Sequence, residues 1–226
     1  MKDEILRFTQ DDNKAMAEIE IDYLRKPLKT YLARLASKDP VPGGGSAGAL
    51  ALSLASALLS MVANFTVGKK RYLGFEAEAK EILNSTENIR QEAAKLVEED
   101  SIAYLQYRRA AEMDKEAPGR REALIAAIRA GNKILILITE LSRRVLGLAG
   151  PLLKKGNPYL LSDVACAASL ARAAFEVAEI NILINLSGGL NLPDEAKIKK
   201  DLHALRTVII SESDQILIEV KRKLSS

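Results

Sequence analysis

Apolar residues recur every three or four positions along most of the chain, which is the period of an amphipathic α-helix. The spacing predicts four such helices, over 16–37 with a break at Pro27, 75–113, 121–149 and 194–223. Two other stretches, 47–63 and 160–186, are apolar on nearly every face, as in helices at the centre of a bundle. No stretch shows convincing strand alternation. The sequence therefore predicts an all-α fold, a single helical bundle of about six helices with two central buried helices.

The domain organisation follows from the same pattern. Residues 1–15 mix charges without a clear period and are predicted to form an N-terminal arm, whereas 16–226 form one helical domain. Gly and Pro residues mark the breaks between helices, at Pro118–Gly119, Gly150–Pro151, Gly156–Asn157–Pro158 and Gly188–Gly189. Gly131–Asn132 is expected to bend the helix in which it lies.

The apolar run 47–63 raises the question of a membrane span. It is shorter than the roughly 20 residues that cross a bilayer and is made largely of Ala, Ser, Gly and Leu. We therefore interpret it as a core helix and expect no membrane contact. Its composition also lets neighbouring helices approach its backbone closely.

Composition narrows the class of protein. The 226 residues are 48% hydrophobic and 28% charged, with a formal net charge of only +3. A positive charge this small, with the basic residues interleaved with acidic ones, does not suggest nucleic-acid binding. A single cysteine excludes an internal disulfide framework, and the N-terminus shows no cleavable signal pattern, so we expect a cytoplasmic protein.

The single His203 and single Cys166 limit the chemistry further. A zinc site, a serine triad or a Cys–His pair would have to use these two residues. We interpret His203 as an ordinary helix residue and Cys166 as a small core residue. Acid–base chemistry must then use Asp, Glu, Lys or Tyr, and no metal is expected.

The stretch around the first apolar run contains two candidate binding features. Gly43, Gly44 and Gly45 form a loop before the helix, and Ser46 is predicted to be its N-cap. The loop amides could hold an anion, although such loops are common as plain turns. The basic residues after the helix, Lys69–Lys70–Arg71, suit a solvated helix C-terminus or an anionic ligand.

Three polar residues are candidates because of where the helical pattern places them. Asp100 could be a surface acid, but it lies within the stripe of Leu96, Val97, Ala103 and Tyr104. Partial burial there would raise the pKa of the carboxyl and suit it to acid–base work. Asn181 and Asn185 share one face of an otherwise apolar helix, and buried amides need hydrogen-bond partners.

Several motifs, in their order and spacing, resemble one known family. They are PVPGGGSAGA at 40–49, MVANFT at 61–66, GKKRY at 68–72, an Asp-x-x-Ala-aromatic segment at 100–104, Gly156–Asn157, Ser162–Asp163, and Asn181 with Asn185. This combination resembles the formiminotetrahydrofolate cyclodeaminase and methenyltetrahydrofolate cyclohydrolase family of all-helical folate enzymes. Taken alone, Ser162–Asp163 would suit a helix N-cap equally well.

The resemblance implies an activity, partners and roles for residues. The activity would be conversion of 5-formiminotetrahydrofolate to 5,10-methenyltetrahydrofolate with release of ammonia, in histidine degradation, with no cofactor beyond the tetrahydrofolate substrate. It implies that Asp100 is the catalytic acid and base, and that Lys69, Lys70 and Arg71 bind the glutamate tail of the folate. The implied substrate-binding residues are Gly43, Gly44, Gly45, Ser46, Asn64, Lys69, Lys70, Asn157, Ser162, Asp163, Asn181 and Asn185. The implied partners are a folate, with one or several glutamates, a second copy of the chain in a homodimer, and a formiminotransferase.

Two alternatives remain at this point. A methenyltetrahydrofolate cyclohydrolase, which forms 10-formyltetrahydrofolate, could use the same residues, and a non-enzymatic helical binding protein would need no reactive Asp100. The chain also departs from the family at two places. It has Glu116-Ala117-Pro118-Gly119 where Leu-Pro-Lys is frequent, and Gly131–Asn132 where Val-Pro is frequent, which bears on substrate preference more than on fold.

Overall fold

The computed structural model describes residues 21–190 and 192–225, and this part of the chain is built from six α-helices. The helices are α1 Leu28–Leu35, α2 Gly44–Asn64, α3 Glu76–Glu112, α4 Arg120–Lys155, α5 Leu161–Leu186 and α6 Glu195–Leu224. Two short 3₁₀ turns, Lys70–Phe75 and Pro158–Leu160, precede α3 and α5. No strand occurs within the described ranges. The predicted all-α bundle is confirmed, and the arm predicted over 1–15 lies outside the described residues.

Helices α2 and α5 form the centre of the bundle, as predicted. Helix α2 packs against α3, α4 and α5, while α5 also contacts α6. Among the completely buried side chains are Leu52, Leu59, Phe175 and Ile182, and each such side chain contributes about 2 kcal/mol of apolar burial. Small residues bring the two central helices close together, since a Cβ on Gly48 would lie 3.0 Å from Val177 Cγ1.

Helix α3 runs antiparallel to α2, and hydroxyl groups of α2 tie the two together. Ser46 Oγ donates to Val97 O at 2.8 Å, and Ser56 Oγ donates to Thr86 O at 2.7 Å. The first pair lies near the start of α2 and late in α3, whereas the second lies further along α2 and earlier in α3. Bonds to backbone carbonyls satisfy hydroxyls that would otherwise be costly to bury.

The start of α2 differs from the prediction. Its N-cap is Gly43, which makes no side-chain capping bond, and Ser46 is already inside the first turn. The Ser46 hydroxyl is instead completely buried and bonded to α3. The hydroxyl of Ser46, which the local sequence predicted to cap α2, thus makes a tertiary hydrogen bond to α3 instead.

Two helix ends differ from what nearby glycine and proline residues favour. A left-handed glycine commonly ends a helix, and Gly68 has a φ of 73°, yet α2 ends earlier, at Asn64. Helix α4 was expected to stop before Gly150–Pro151, yet it continues to Lys155 with Pro151 inside it. A proline there removes one backbone hydrogen bond, and the burial of Leu152 and Leu153 in the core favours helix despite that loss.

The length of α2 corrects one further expectation. It has 21 residues, and by length and apolar composition it could cross a membrane. More than half of its most apolar window is buried inside the bundle, which agrees with the interpretation as a core helix. The absence of membrane contact stays a prediction.

Candidate active site

Asp100 lies against the first turn of α2. Its carboxylate accepts a hydrogen bond from the backbone N–H of Ser46. A Cβ built on Gly45 would lie 2.1 Å from Asp100 Oδ1 and 2.6 Å from its Cγ. Only glycine at position 45 therefore leaves room for the carboxylate at this place, and the free amides at the start of α2 stabilise its negative charge.

The electrostatics of Asp100 suit proton transfer. Burial raises the pKa of its carboxyl from the usual 3.8 to about 6, while the Ser46 amide opposes the rise. A carboxyl with a pKa near 6 can both accept and release a proton near neutral pH. The prediction of a partly buried acid within an apolar stripe is thus confirmed in its geometry.

Tyr31 of α1 closes one side of this carboxylate. Its hydroxyl lies 3.2 Å from Ser46 Oγ, and the side chain is buried. Burial raises the pKa of Tyr31, with the charge of Asp100 adding to the rise, so the phenol stays protonated. A chain of hydroxyls from Tyr31 through Ser46 therefore supports the turn that holds Asp100.

The end of α5 meets the same turn. Asn181 Nδ2 donates to Val177 O at 2.8 Å and lies 3.3 Å from where a Cβ on Gly44 would stand. One turn later, Asn185 Nδ2 donates to Asn132 Oδ1 of α4 at 2.8 Å. Gly44, Gly45, Asp100 and the two predicted asparagines thus gather at one end of the bundle, which we call the acidic end.

Two tyrosines continue from Asp100 along α3. Tyr104 and Tyr107 are both half-buried, and their ring centroids are 6.4 Å apart at an angle of 41°. Residues four apart on a helix share one face, so Tyr104 stands one turn beyond the carboxylate. Burial raises the pKa of both phenols. The acidic end therefore offers apolar ring surface beside the carboxyl of Asp100.

The other predicted binding residues lie at the opposite end of α2. Asn64 ends that helix, and Lys69, Lys70 and Arg71 follow it, all exposed. Thr66 is completely buried there, and its Oγ1 accepts from the backbone N–H of Asn157 at 3.2 Å. We call this region, which includes 64–71 and 156–163, the basic end.

Ser162 and Asp163 belong to the basic end because they form the first turn of α5. Ser162 is exposed and Asp163 is half-buried. Neither caps the helix, whose N-cap is Leu160. Asn157 does cap a turn, since its Oδ1 accepts from the backbone N–H of Tyr159 at 3.1 Å.

The acidic end and the basic end are far apart in a single chain. Helix α2 connects them over 21 residues, and at a rise of 1.5 Å per residue this is about 30 Å. The structure thus unites Asp100 with Gly44, Gly45 and the asparagines, and separates them from Lys69, Lys70 and Asp163. The hypothesis of a single site containing all these residues is not met within one chain.

Large apolar side chains on and beside α2 and α5 are exposed from one end of the bundle to the other. Leu54 of α2 and Phe65, the residue that follows α2, are 51% and 53% exposed, and Ile180 and Ile184 of α5 are 57% and 56% exposed. Cys166 lies on the same stripe of α5 and is exposed, so its interpretation as a core residue was wrong. Helix α2 contains no charged residue, and an exposed apolar patch on a charge-free helix is typical of a protein interface.

Sequence reasoning missed Asn132 as part of the acidic end. It interpreted Gly131–Asn132 as a bend, whereas Asn132 is 3% exposed and bonded to Asn185. A polar residue at a buried position of α4 was the only available signal. His203 is exposed, as an ordinary helix residue can be. Within the described residues no three His, Cys, Asp or Glu side chains lie together as a metal site.

Comparison with known proteins gives a consistent result. A family model described as formiminotransferase-cyclodeaminase matches residues 27–204. Methenyltetrahydrofolate cyclohydrolase from Methylorubrum extorquens is 30% identical over 205 residues, which are 88% of this chain and 97% of that relative. Formimidoyltransferase-cyclodeaminase from Gallus gallus is 28% identical over 194 residues. That match covers 84% of this chain but 35% of the relative, so the chain spans about a third of its length.

A solved structure has the same fold. The crystal structure of formiminotetrahydrofolate cyclodeaminase from Thermotoga maritima aligns with a TM-score of 0.76 and 27% sequence identity. The alignment covers 90% of this chain and 98% of that one. The whole-chain sequence match and the structural match therefore both point to proteins whose names refer to folate chemistry.

Proposed function

The chain belongs to the formiminotransferase-cyclodeaminase family of folate one-carbon enzymes, and we propose that it acts as a formiminotetrahydrofolate cyclodeaminase. The substrate would be 5-formiminotetrahydrofolate, and the products would be 5,10-methenyltetrahydrofolate and ammonia. The observation that carries this proposal is the carboxyl of Asp100, whose pKa is raised by burial to about 6 beside the first turn of α2.

In the proposed mechanism, N10 of the folate attacks the carbon of the protonated formimino group. A C–N10 bond forms while the C=N bond to the terminal nitrogen becomes a single bond, which leaves an amino group on a tetrahedral carbon. The proton released from N10 passes to the Asp100 carboxylate. Asp100 then returns a proton to the amino group, the C–N bond to that group breaks, the lone pair of N5 forms the C=N bond of the methenyl cation, and ammonia leaves. One positioned acid–base group contributes roughly 10²–10⁴-fold in rate, and holding N10 near the carbon supplies several further kcal/mol.

The remaining residues of the acidic end would bind the pterin. Asn181 and Asn185 present amide groups at the end of α5, and Tyr104 presents an aromatic face one turn beyond Asp100. Binding sites for planar ligands commonly combine apolar walls with a few oriented polar groups. The exposed Lys69, Lys70 and Arg71 would attract the carboxylates of the glutamate tail.

A second copy of the chain would bring the two ends together. The basic end lies about 30 Å from Asp100 along α2, which exceeds the length of one folate. In a two-fold dimer both subunits use the same surface for the contact. Helix α2 of one subunit can then lie antiparallel to α2 of the other, so that the acidic end of one is next to the basic end of the other. We propose that the exposed apolar face of α2 and α5 is this contact, which would place the partner's basic end beside the acidic end of the first subunit.

The same face supports a homodimer by its composition. It joins large apolar side chains such as Leu54 and Ile184 to small ones such as Ser169 and Ala173. Small residues allow close approach of helices, and the lack of charge on α2 removes the cost of desolvating ions. We also propose a formiminotransferase as the source of the substrate, since the name of the Gallus relative joins that activity to a cyclodeaminase.

A second candidate function is the methenyltetrahydrofolate cyclohydrolase reaction. The match to the Methylorubrum enzyme favours it, since that relative is 30% identical and is covered over 97% of its length. In this reaction water would attack the methenyl carbon while Asp100 takes one of its protons. The hydroxyl so formed would become the formyl C=O as the bond from that carbon to N5 breaks and N5 takes the second proton, which opens the ring to 10-formyltetrahydrofolate. The acidic end provides the same carboxyl for both reactions.

The test uses the purified protein with each substrate in turn. With 5-formiminotetrahydrofolate, a rise of methenyl absorbance with equal ammonia release is expected for the cyclodeaminase. With 5,10-methenyltetrahydrofolate, a fall of absorbance faster than in buffer would identify the cyclohydrolase. An unchanged signal in both mixtures would contradict the enzyme proposals and favour a folate-binding or structural role.

A further inference from the structure

A pair of buried amides joins α4 to α5 beside the acidic end. Asn185 Nδ2 donates to Asn132 Oδ1 at 2.8 Å, and Asn132 is only 3% exposed. The α4 backbone comes close to the pair, because a Cβ on Gly131 would stand 3.9 Å from Asn185 Nδ2. Gly131 and Asn132 of α4 therefore lie beside Asn185, which is four residues along α5 from Asn181.

The bond determines which end of the Asn185 amide is available. Because Nδ2 is committed to Asn132, the carbonyl oxygen Oδ1 is the end directed away from α4. No described residue donates a hydrogen bond to that oxygen. Without Asn132 to accept from Nδ2, the amide of Asn185 could rotate by 180° at little cost, and it would then present a donor to the ligand instead of an acceptor.

Asn132 gains little stability from its position. Its Nδ2 is buried and has no hydrogen-bond partner within the described residues. A buried donor without a partner is unfavourable for folding, so an apolar residue of the same size would suit the core at least as well. An asparagine at position 132 is explained if its hydrogen bond to Asn185 fixes the orientation of the Asn185 amide in the binding site.

We infer that Asn132 is a positioning residue that holds the Asn185 amide with its oxygen toward the ligand. This inference rests on the proposed function and deepens it. The edge of a pterin that carries the ring N–H and the exocyclic amine presents hydrogen-bond donors, so it requires acceptors. Asn185 Oδ1, oriented by Asn132, would be one of them, and Asn132 itself would not touch the ligand.

The experiment compares Asn132→Leu, Asn185→Ala and the double variant in the steady-state folate assay, with thermal unfolding measured in parallel. Loss of one oriented hydrogen bond is expected to raise KM about tenfold, with kcat within about twofold of wild type. Because both changes remove the same interaction, the double variant should be no worse than Asn185→Ala. The melting temperature of Asn132→Leu should equal or exceed that of wild type.

Thr139→Val is the matched control, since Thr139 is also buried in α4 and its hydroxyl bonds only the backbone of Ile136, at 2.7 Å. It should leave KM unchanged. Asn132→Asp retains the acceptor oxygen and should keep KM closer to wild type than Asn132→Leu does.

The outcomes separate the two proposals. A wild-type protein without folate turnover would overturn the proposed function, and this inference with it. An active wild type with unchanged KM in Asn132→Leu would overturn the inference alone. Failure of Asn132→Leu to fold, or additive effects in the double variant, would also overturn it by assigning Asn132 a purely structural role.

Discussion

Replacement of Asp100 by asparagine is expected to remove activity and, at the same time, to stabilise the folded protein above about pH 6. The asparagine oxygen can still accept the Ser46 amide, and the side chain keeps its size. What changes is the negative charge, which burial makes unfavourable in the folded state.

The magnitude follows from the pKa of Asp100. Its carboxyl has a pKa of about 6 in the folded protein and a usual value of 3.8. The difference corresponds to about 3 kcal/mol. Between these two pH values the folded protein binds more protons than the unfolded chain, so the stability of the wild type falls as pH rises from about 4 to about 6, and stays low above that. Since Asp100 is half-buried and asparagine brings its own amide hydrogens, the gain in the variant should be about 1–3 kcal/mol.

The assay is urea unfolding of wild type and Asp100→Asn at a series of pH values. The variant should be more stable near pH 8, and the two proteins should converge near pH 4, where the carboxyl is protonated in both states. In the folate assay at neutral pH, turnover should fall by roughly 10²–10⁴-fold.

Glu99→Gln is the matched control, because Glu99 is the adjacent acid and is exposed. It should change neither activity nor the dependence of stability on pH. A variant Asp100→Asn that is less stable than wild type near pH 8 would refute burial as the cause of the raised pKa. Full turnover in a folded Asp100→Asn would refute the catalytic assignment.

Three further predictions test the space beside the Asp100 carboxyl, the proposed dimer contact, and the binding of the glutamate tail. Gly45→Ala should reduce turnover by more than tenfold in a folded protein, because its Cβ would stand 2.1 Å from the carboxylate oxygen. Gly147→Ala, at a helical glycine of α4 with open space around it, should be active. The thiol of Cys166, exposed in one subunit, should react slowly with a thiol reagent at high protein concentration and faster on dilution, and a rate independent of concentration would contradict the proposed dimer contact. Replacing Lys69 and Lys70 by Ala should raise KM for a polyglutamylated folate more than for a monoglutamate, by an amount that added salt reduces; equal effects on both folates would argue against tail binding.

The extent of most helices was largely determined by the sequence, but the first was not: of the helix predicted over 16–37 only Leu28–Leu35 is found, and the described residues 21–27 are not helical. Helix α3, predicted over 75–113, was found at Glu76–Glu112, and the helix predicted over 160–186 was found at Leu161–Leu186. Long stretches with one apolar face, bounded by Pro and Gly, leave few alternatives to helix. The central position of α2 and α5 was predictable for a related reason, since a helix apolar on nearly all faces must be covered.

Local sequence was a poor guide where a tertiary contact competed with it. The Ser46 hydroxyl bonds Val97 O across the bundle instead of capping α2. Helix α4 continues through Pro151 because Leu152 and Leu153 are buried. In each case the free energy of packing or of a buried hydrogen bond exceeded a local preference worth about 1–3 kcal/mol.

For the candidate site, too, the sequence predicted some features and only the tertiary structure decided the others. Sequence and family resemblance together identified Asp100, and the apolar stripe around it predicted its partial burial. Only the tertiary structure decided that Gly45 and the Ser46 amide face this carboxyl, that Asn132 bonds Asn185, and that the basic residues lie about 30 Å away along α2. Helical periodicity states which face of a helix is buried, but not which residues of another helix meet that face, because those pairings depend on how six helices pack together.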